Sequence, residues 1–126
     1  DIVGVHAQLT AGVVGAEMAR TALAERFRER IKVLQEAAGA RFPDIELQLK
    51  GEIELITNER DALYEAVAPS YGLTAAEAAE VPVVFVGTVE QICDDLVRRR
   101  EEYGFSYVVV HDADAFAPVV ERLAGT

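Results

Sequence analysis

The segment VPVVFVGTVEQICDDLVRRREEYGFSYVVV, residues 81–110, decides the fold class of this chain. It begins with a short apolar run, passes through a Gly-Thr turn into an amphipathic helix, and stops at Tyr103 and Gly104 before a nearly all-apolar stretch. A helix that ends at glycine and leads directly into such a stretch is typical of the second half of a βαβ unit. Because strands that are buried on both faces belong to parallel sheets, the segment predicts an α/β fold.

Alternation of apolar and polar residues predicts two further strands. Residues 2–8 alternate, and residues 45–55 keep a strict period of two along their whole length. Gly51 lies midway along the second run, where a glycine marks a bulge or a close backbone approach. The polar row of that strand indicates either a face in water or a barrel lumen in which charges pair, such as Lys50 with Glu52.

Apolar spacing and capping signals predict five helices. Their start or end signals are Gly39 after residues 17–38, Asn58 with Asp61, Thr74 with Glu77, Thr88 with Gln91, and Pro118 in the first turn of the last helix. The charged run at residues 98–102 is interpreted as a solvated helix surface. Residues 82–86 form either a fourth short strand or a buried extended loop, because periodicity does not separate the two.

Composition limits the classes of partner and compartment. The chain has 126 residues, the length of one domain, and a formal net charge of -10, which disfavours binding to nucleic acid or to an anionic membrane. No apolar run approaches the ~20 residues that span a bilayer. The lone cysteine, Cys93, excludes an intrachain disulfide and suits a reducing, cytoplasmic environment, and we expect it to be a buried small hydrophobe. Because the chain opens directly in a strand, we expect it to be the C-terminal part of a longer protein.

Three pieces of sequence carry a resemblance to a known family. They are the opening strand DIVG with a loop and a long helix ending in AAG, the tail ITNERDA at residues 56–62, and VGTVEQICDDL running to YGFSYVVV. In these features the chain resembles the C-terminal portion of luciferase-like flavin or deazaflavin oxidoreductases, and it is most similar to their actinobacterial deazaflavin-dependent branch. Val89 replaces the proline that is usual in the family, at a helix position where proline is only favoured.

The resemblance implies a fold, a cofactor and a set of partners. The implied fold is a partial TIM-type (β/α)8 barrel, in which residues 1–126 supply about three parallel strands with flanking helices and about five strands lie outside this chain. The full-length parent would bind a deazaflavin (coenzyme F-420) or FMN and pass hydride between this cofactor and a small organic substrate. The implied macromolecular partners are the remainder of the barrel or further copies of the chain in a homo-oligomer.

Functional residues of such a barrel lie at the carboxyl ends of its strands. That position selects His6 and Gln8 in the first strand and His111 with Asp112 after the last one, and we predict that His6, Gln8 and His111 bind the cofactor. The competing interpretations are a bond from His6 to a backbone carbonyl, and a structural turn in which Asp112 or Asp114 caps the last helix. Two histidines with no third ligand at metal spacing make a poor zinc site, and the sequence identifies no catalytic residue.

Other functions remain open from the sequence. The chain could be a noncatalytic α/β module that oligomerises or docks on a partner through open sheet edges, because a partial barrel leaves two strand edges unpaired. A stand-alone flavodoxin-like binder is a weaker alternative, since no phosphate-binding loop is present. In the barrel interpretation, Lys50 or Glu52 near the mouth could also touch a ligand.

Overall fold

The computed structural model describes residues 2–5, 20 and 22–124. Its strands are β1 (Ile2–Val5), β2 (Glu46–Lys50), β3 (Ile53–Ile56), β4 (Val84–Gly87) and β5 (Phe105–Val109). Its helices are α1 (Ala24–Ala38), α2 (Arg60–Val67), α3 (Ala75–Ala79), α4 (Val89–Tyr103) and α5 (Ala117–Leu123), and 3₁₀ segments at Gly39–Asp44 and Ala68–Tyr71 follow α1 and α2. No helix in the described ranges is both long and apolar enough to cross a membrane. The predicted strand residues 6–8 and the first residues of the predicted helix at 17–19 lie outside them.

The strands form two sheets in which every described pair is parallel. One sheet has the order β1-β2-β5, and the other consists of β3 and β4. The predicted parallel relation between the second and the last predicted strand is confirmed, because β2 lies beside β5 from Leu47 opposite Phe105 to Lys50 opposite Val109. Residues 82–86 contain most of β4, so the strand alternative is confirmed there. The fold is a mixed α/β arrangement of parallel strands and helices.

The predicted single strand over residues 45–55 is wrong, because the chain changes its strand partner at Gly51. The Gly51 N–H donates to the Val109 carbonyl of β5 at 3.0 Å, whereas the next N–H, of Glu52, donates to the Val83 carbonyl at 2.8 Å. β2 and β3 therefore belong to different sheets although only two residues separate them. The alternation in the sequence continues through this step, so it gives no sign of the change.

The Phe85 ring and the Glu54 carboxylate leave no room for a side chain at Gly51. A Cβ on this glycine would come within 2.7 Å of the Phe85 ring and 2.7 Å of a carboxylate oxygen of Glu54. The groups that come close to Gly51 are therefore side chains, and not the backbone that the sequence predicts.

Replacing Gly51 by alanine is expected to lower the free energy of unfolding by about 1–3 kcal/mol, the usual cost of overpacking a core. Urea denaturation followed by circular dichroism measures this change. In a Phe85→Val background, where the ring is gone, Gly51→Ala should cost clearly less. An equal cost in both backgrounds would show that the clash with the ring is not the cause.

The main core fills the space between the three-stranded sheet and α1. Leu47 and Leu49 of β2 are 2% and 0% exposed, and Phe27 and Ile31 of α1 are buried against them in the same apolar cluster. These are the residues that the alternation of β2 and the spacing of α1 predict for the core. From α4 the predicted stripe also enters the core, with Ile92, Cys93, Leu96 and Tyr103 buried.

The local helix signals are confirmed with one exception. Both predicted capping boxes are present, and they pair Thr74 with Glu77 before α3 and Thr88 with Gln91 before α4. Gly39 and Gly104 close α1 and α4 with positive φ angles of 56° and 85°. The predicted cap at Asn58 is wrong, because Glu59 and not Asn58 occupies the cap position before α2. The Glu59 N–H donates to the Thr57 hydroxyl at 3.1 Å.

Arg99 corrects the prediction that residues 98–102 are a solvated surface. Its side chain is almost fully buried, and its Nη1 donates to the carbonyls of Pro82 at 2.9 Å and Val84 at 3.0 Å. The physical reason is helical spacing, since Arg99 follows the buried Leu96 by three residues and shares its face. Burial lowers the pKa of this guanidinium, and the nearby Asp95 acts in the opposite direction.

Cys93 is buried, as the sequence predicts. Burial raises the pKa of its thiol, while Arg122 acts in the opposite direction. Because the thiolate is the reactive form, we expect Ellman's reagent at neutral pH to modify the folded protein roughly tenfold more slowly than the protein in concentrated urea. Equal rates in the two conditions would contradict a protected thiol.

Candidate functional site

The carboxyl ends of β1, β2 and β5 lie at one edge of their sheet, because the three strands are parallel. β2 reaches this edge at Lys50, and His111 follows two residues after the end of β5, with an exposed side chain. His6 and Gln8 follow β1 in the sequence but lie outside the described residues. Of the three residues predicted to bind a cofactor, the structure therefore places His111, and it lies at the edge that the sequence predicts.

The side chain of Glu54, in β3, is hydrogen-bonded to the turn that follows β5. Its carboxylate accepts hydrogen bonds from the backbone N–H of His111 at 2.8 and 3.0 Å and from that of Asp112 at 3.2 Å. Successive N–H groups that converge in this way make a concavity for an anion, and here the protein's own carboxylate fills it. The sequence missed this role, because Glu54 has the same place in the alternating polar row as Glu52.

Asp112 has a structural role in this turn. Its Oδ1 accepts from the N–H of Ala115 at 3.0 Å, and its carbonyl accepts from the N–H of Phe116 at 3.1 Å. The prediction that Asp112 or Asp114 caps the last helix is wrong in its position, because Phe116 occupies the cap of α5 and supplies no side-chain bond. Asp112 instead closes the turn that leads from the sheet edge into that helix.

One face of the three-stranded sheet is polar. Gly4, Gln48 and Tyr107 are register partners across the three strands, and Lys50 lies beside Val109. Partners in adjacent strands project to the same side, so these residues share the face opposite the buried Leu47. Tyr107 is 42% exposed on this face.

Of the two alternatives for the polar row, the one in which Lys50 pairs with Glu52 is wrong. Lys50 forms no ion pair with a described residue, and Glu52 is exposed beyond the end of β2. Lys50 is a half-buried cation near the carboxyl edge, with no ion-pair partner in the part of the chain that the structure describes.

A second feature is an apolar groove of about 340 Å³ beside the two-stranded sheet. Its floor is one face of β3 and β4, made by the register partners Ile53 with Val84 and Leu55 with Val86. Its walls come from α2, α3 and the segment between them, with Leu63, Tyr64, Val67, Tyr71, Leu73 and Ala78. Glu52 is the one charged side chain in the described lining. We call this feature the β3-β4 groove.

Polar contacts hold the wall of this groove in place. Arg60 of α2 donates from Nη1 to Asp95 of α4 at 3.0 Å, and both side chains are largely shielded from solvent. Burial raises the pKa of the neighbouring Tyr64, and the Arg60 charge acts in the opposite direction. The ion pair connects α2, which forms one wall of the groove, to α4.

No family model, curated protein or solved structure matches this chain. Among residues 2–5, 20 and 22–124, no three His, Cys, Asp or Glu side chains lie close enough together to hold a metal ion. Two features of the described residues remain as places where a ligand can bind: the carboxyl edge with Lys50 and His111, and the β3-β4 groove.

Proposed function

We propose that this chain belongs to a luciferase-like oxidoreductase that uses FMN or a deazaflavin, and that it is the C-terminal segment of a TIM-type barrel. The single observation that best supports the proposal is the parallel sheet β1-β2-β5 with its apolar face under α1. A TIM-type barrel consists of parallel strands whose outer face is covered by helices, and its ligands bind at the carboxyl ends of the strands.

The geometry of the sheet is compatible with closure into a ring. The outer edges of β1 and β5 have no strand partner among the described residues, so further parallel strands could pair with both. The register between β2 and β5 shifts between Leu47 and Gln48. Such an irregularity increases the local twist of a sheet, and strongly twisted strands are what a closed barrel requires.

The residues at the carboxyl edge fit part of the proposed cofactor. The Lys50 ammonium and the His111 imidazole are donors that suit the carbonyl oxygens and the ring nitrogens of a flavin or deazaflavin. The described residues do not supply a cradle for its phosphate, because Glu54 already fills the converging N–H groups of His111 and Asp112. A phosphate would therefore be bound by parts of the parent protein other than these.

The bound cofactor would supply the hydride chemistry, and the protein would supply orientation and electrostatics. Lys50 would place a positive charge at the ring system. His111 would donate a hydrogen bond from a turn that Glu54 and Asp112 hold rigid. His6 and Gln8 would add donors from the end of β1.

The proposal is tested by titrating the full-length natural polypeptide with FMN and with coenzyme F-420 while following cofactor absorbance and fluorescence. Lys50→Ala and His111→Ala should each weaken binding roughly tenfold, the loss expected for one hydrogen bond to a charged or polarised group. Glu46→Ala is the matched control, because Glu46 lies on the same face of β2 at its amino end. Absence of binding to either cofactor, or an equal loss in the Glu46→Ala control, would contradict the proposal.

A second candidate function is a noncatalytic module that oligomerises or docks on a partner. The observation that favours it is the exposure of apolar side chains, with Ile53, Leu55 and Val67 each nearly half exposed in the described structure. Analytical ultracentrifugation over a range of concentrations separates the two functions. Self-association without cofactor binding would favour the module, whereas bound, coloured cofactor would favour the oxidoreductase.

A further inference from the structure

We propose that the β3-β4 groove binds a basic amphipathic helix of another protein. This inference goes beyond the proposed oxidoreductase and does not depend on it, because the groove lies on β3 and β4 and the candidate cofactor residues belong to the other sheet. Three properties of the groove lead to it: its apolar lining, its open shape and the charge around it.

The lining of the groove is apolar and partly in water. Ile53 and Leu55 on the floor are 48% and 47% exposed, and Val67 on the wall is 45% exposed. The register partners of the two floor residues in β4, Val84 and Val86, lie beside them in the same floor and are buried. A contiguous apolar patch of this kind marks a surface that another molecule covers.

The shape of the groove favours an occupant with one apolar face and one polar, solvent-exposed face. Sites for small molecules enclose most of the surface of their ligand, whereas here both floor and wall end in half-exposed side chains. An amphipathic helix inserts a row of apolar side chains into such a groove and leaves its polar face in solvent. The groove volume of about 340 Å³ holds several aliphatic side chains.

The charge around the groove selects a basic occupant. Glu52 is the one charged side chain in the described lining, and α2, which forms a wall of the groove, carries two further exposed carboxylates, Asp61 and Glu65. Glu54 and Glu80 do not contribute, because they are bonded to the turn after β5 and to Arg98. The Arg60 charge is already matched by Asp95 at 3.0 Å. A field of this sign attracts lysine and arginine side chains and repels acidic surfaces. A second copy of this chain, with its net charge of -10, is disfavoured for the same reason.

The test uses fluorescence anisotropy with three labelled synthetic peptides. The first carries leucines at helical spacings of three and four with lysines elsewhere, the second is a scrambled peptide of the same composition, and the third replaces every lysine by glutamate. We expect binding of the first peptide only, and weaker binding as the salt concentration rises.

Variants of the protein locate the binding surface. Leu55→Asp and Val67→Asp should each weaken the binding of the first peptide at least tenfold. Val33→Asp should not change it, because Val33 is an exposed valine on α1 and is 64% exposed away from the groove. Circular dichroism and urea denaturation establish that each variant is folded, and the use of two groove variants keeps the test valid if one of them unfolds.

Each other outcome overturns the inference. It fails if the scrambled or the glutamate peptide binds as tightly as the first, or if Val33→Asp weakens binding as much as the groove variants. Binding of the neutral dye N-phenyl-1-naphthylamine in the groove, without any peptide binding, would show a small-molecule site instead. Cofactor affinity measured on Val67→Asp should equal that of the unaltered protein, so failure of the peptide-binding inference leaves the proposed function standing.

Discussion

Phe105→Ala is expected to lower the free energy of unfolding by about 3–5 kcal/mol, the usual range for removal of a buried phenylalanine ring. Phe105 is 2% exposed and begins β5 directly after α4. Its ring meets that of Phe27 of α1 edge-on at a centroid distance of 6.4 Å, and that of Tyr103 at 5.7 Å. Its removal would leave a cavity where β5, α1 and α4 meet, and rigid elements on three sides would limit collapse into it.

Tyr107→Ala is the matched control for this variant. Tyr107 lies on the same strand and is 42% exposed, so its truncation should change the free energy of unfolding by less than about 1 kcal/mol. Urea denaturation of both variants, with the slope of the transition compared, measures the difference. Similar losses at the two positions would mean that the sheet does not have the apolar and polar faces described above.

Arg99→Ala is expected to cost about 3 kcal/mol, because it removes two hydrogen bonds from a charged donor and leaves two buried carbonyls unpaired. The carbonyls belong to Pro82 and Val84, at the start of β4. These hydrogen bonds connect α4 to the segment that leads into the two-stranded sheet. Their loss should also increase the rate of amide hydrogen exchange in β4.

Two further substitutions separate packing from hydrogen bonding at this position. Arg99→Met keeps most of the side-chain volume and removes the buried charge, so it should cost less than Arg99→Ala. Arg99→Lys keeps a positive charge but lacks the guanidinium Nη1 that donates to both carbonyls. If Met were as costly as Ala, the loss would come from the unpaired carbonyls alone. If all three variants were as stable as the parent, Arg99 would have no structural role.

The sequence predicts those parts of the fold that depend on neighbours within four residues. The capping boxes of Thr74 and Thr88 and the glycine ends of α1 and α4 are local, and the structure has all of them. The apolar stripes of α1 and α4 were predicted for the same reason, since helical spacing fixes which side chains share a face. The sequence also predicts the parallel relation of the second and last predicted strands, because helices lie between these two strands in the chain.

The remaining features depend on contacts between residues that are distant in the sequence. The change of strand partner at Gly51 depends on the carbonyls of Val83 and Val109, which lie more than thirty residues away in the sequence. The charged run around Arg99 predicts a surface residue although Arg99 shares the helix face of Leu96, and the two carbonyls that it binds cannot be read from the sequence. Glu54 is indistinguishable in the sequence from the other members of its row.

The bonds of Glu54 connect the two candidate sites of this molecule. Its main chain belongs to the same short strand as Ile53 and Leu55, the floor of the β3-β4 groove, while its carboxylate holds the N–H groups of His111 and Asp112. The turn that carries His111 is therefore held by a strand of the other sheet. Local unfolding of β3 would release this turn together with the groove floor, so their amide hydrogens should exchange as one cooperative unit.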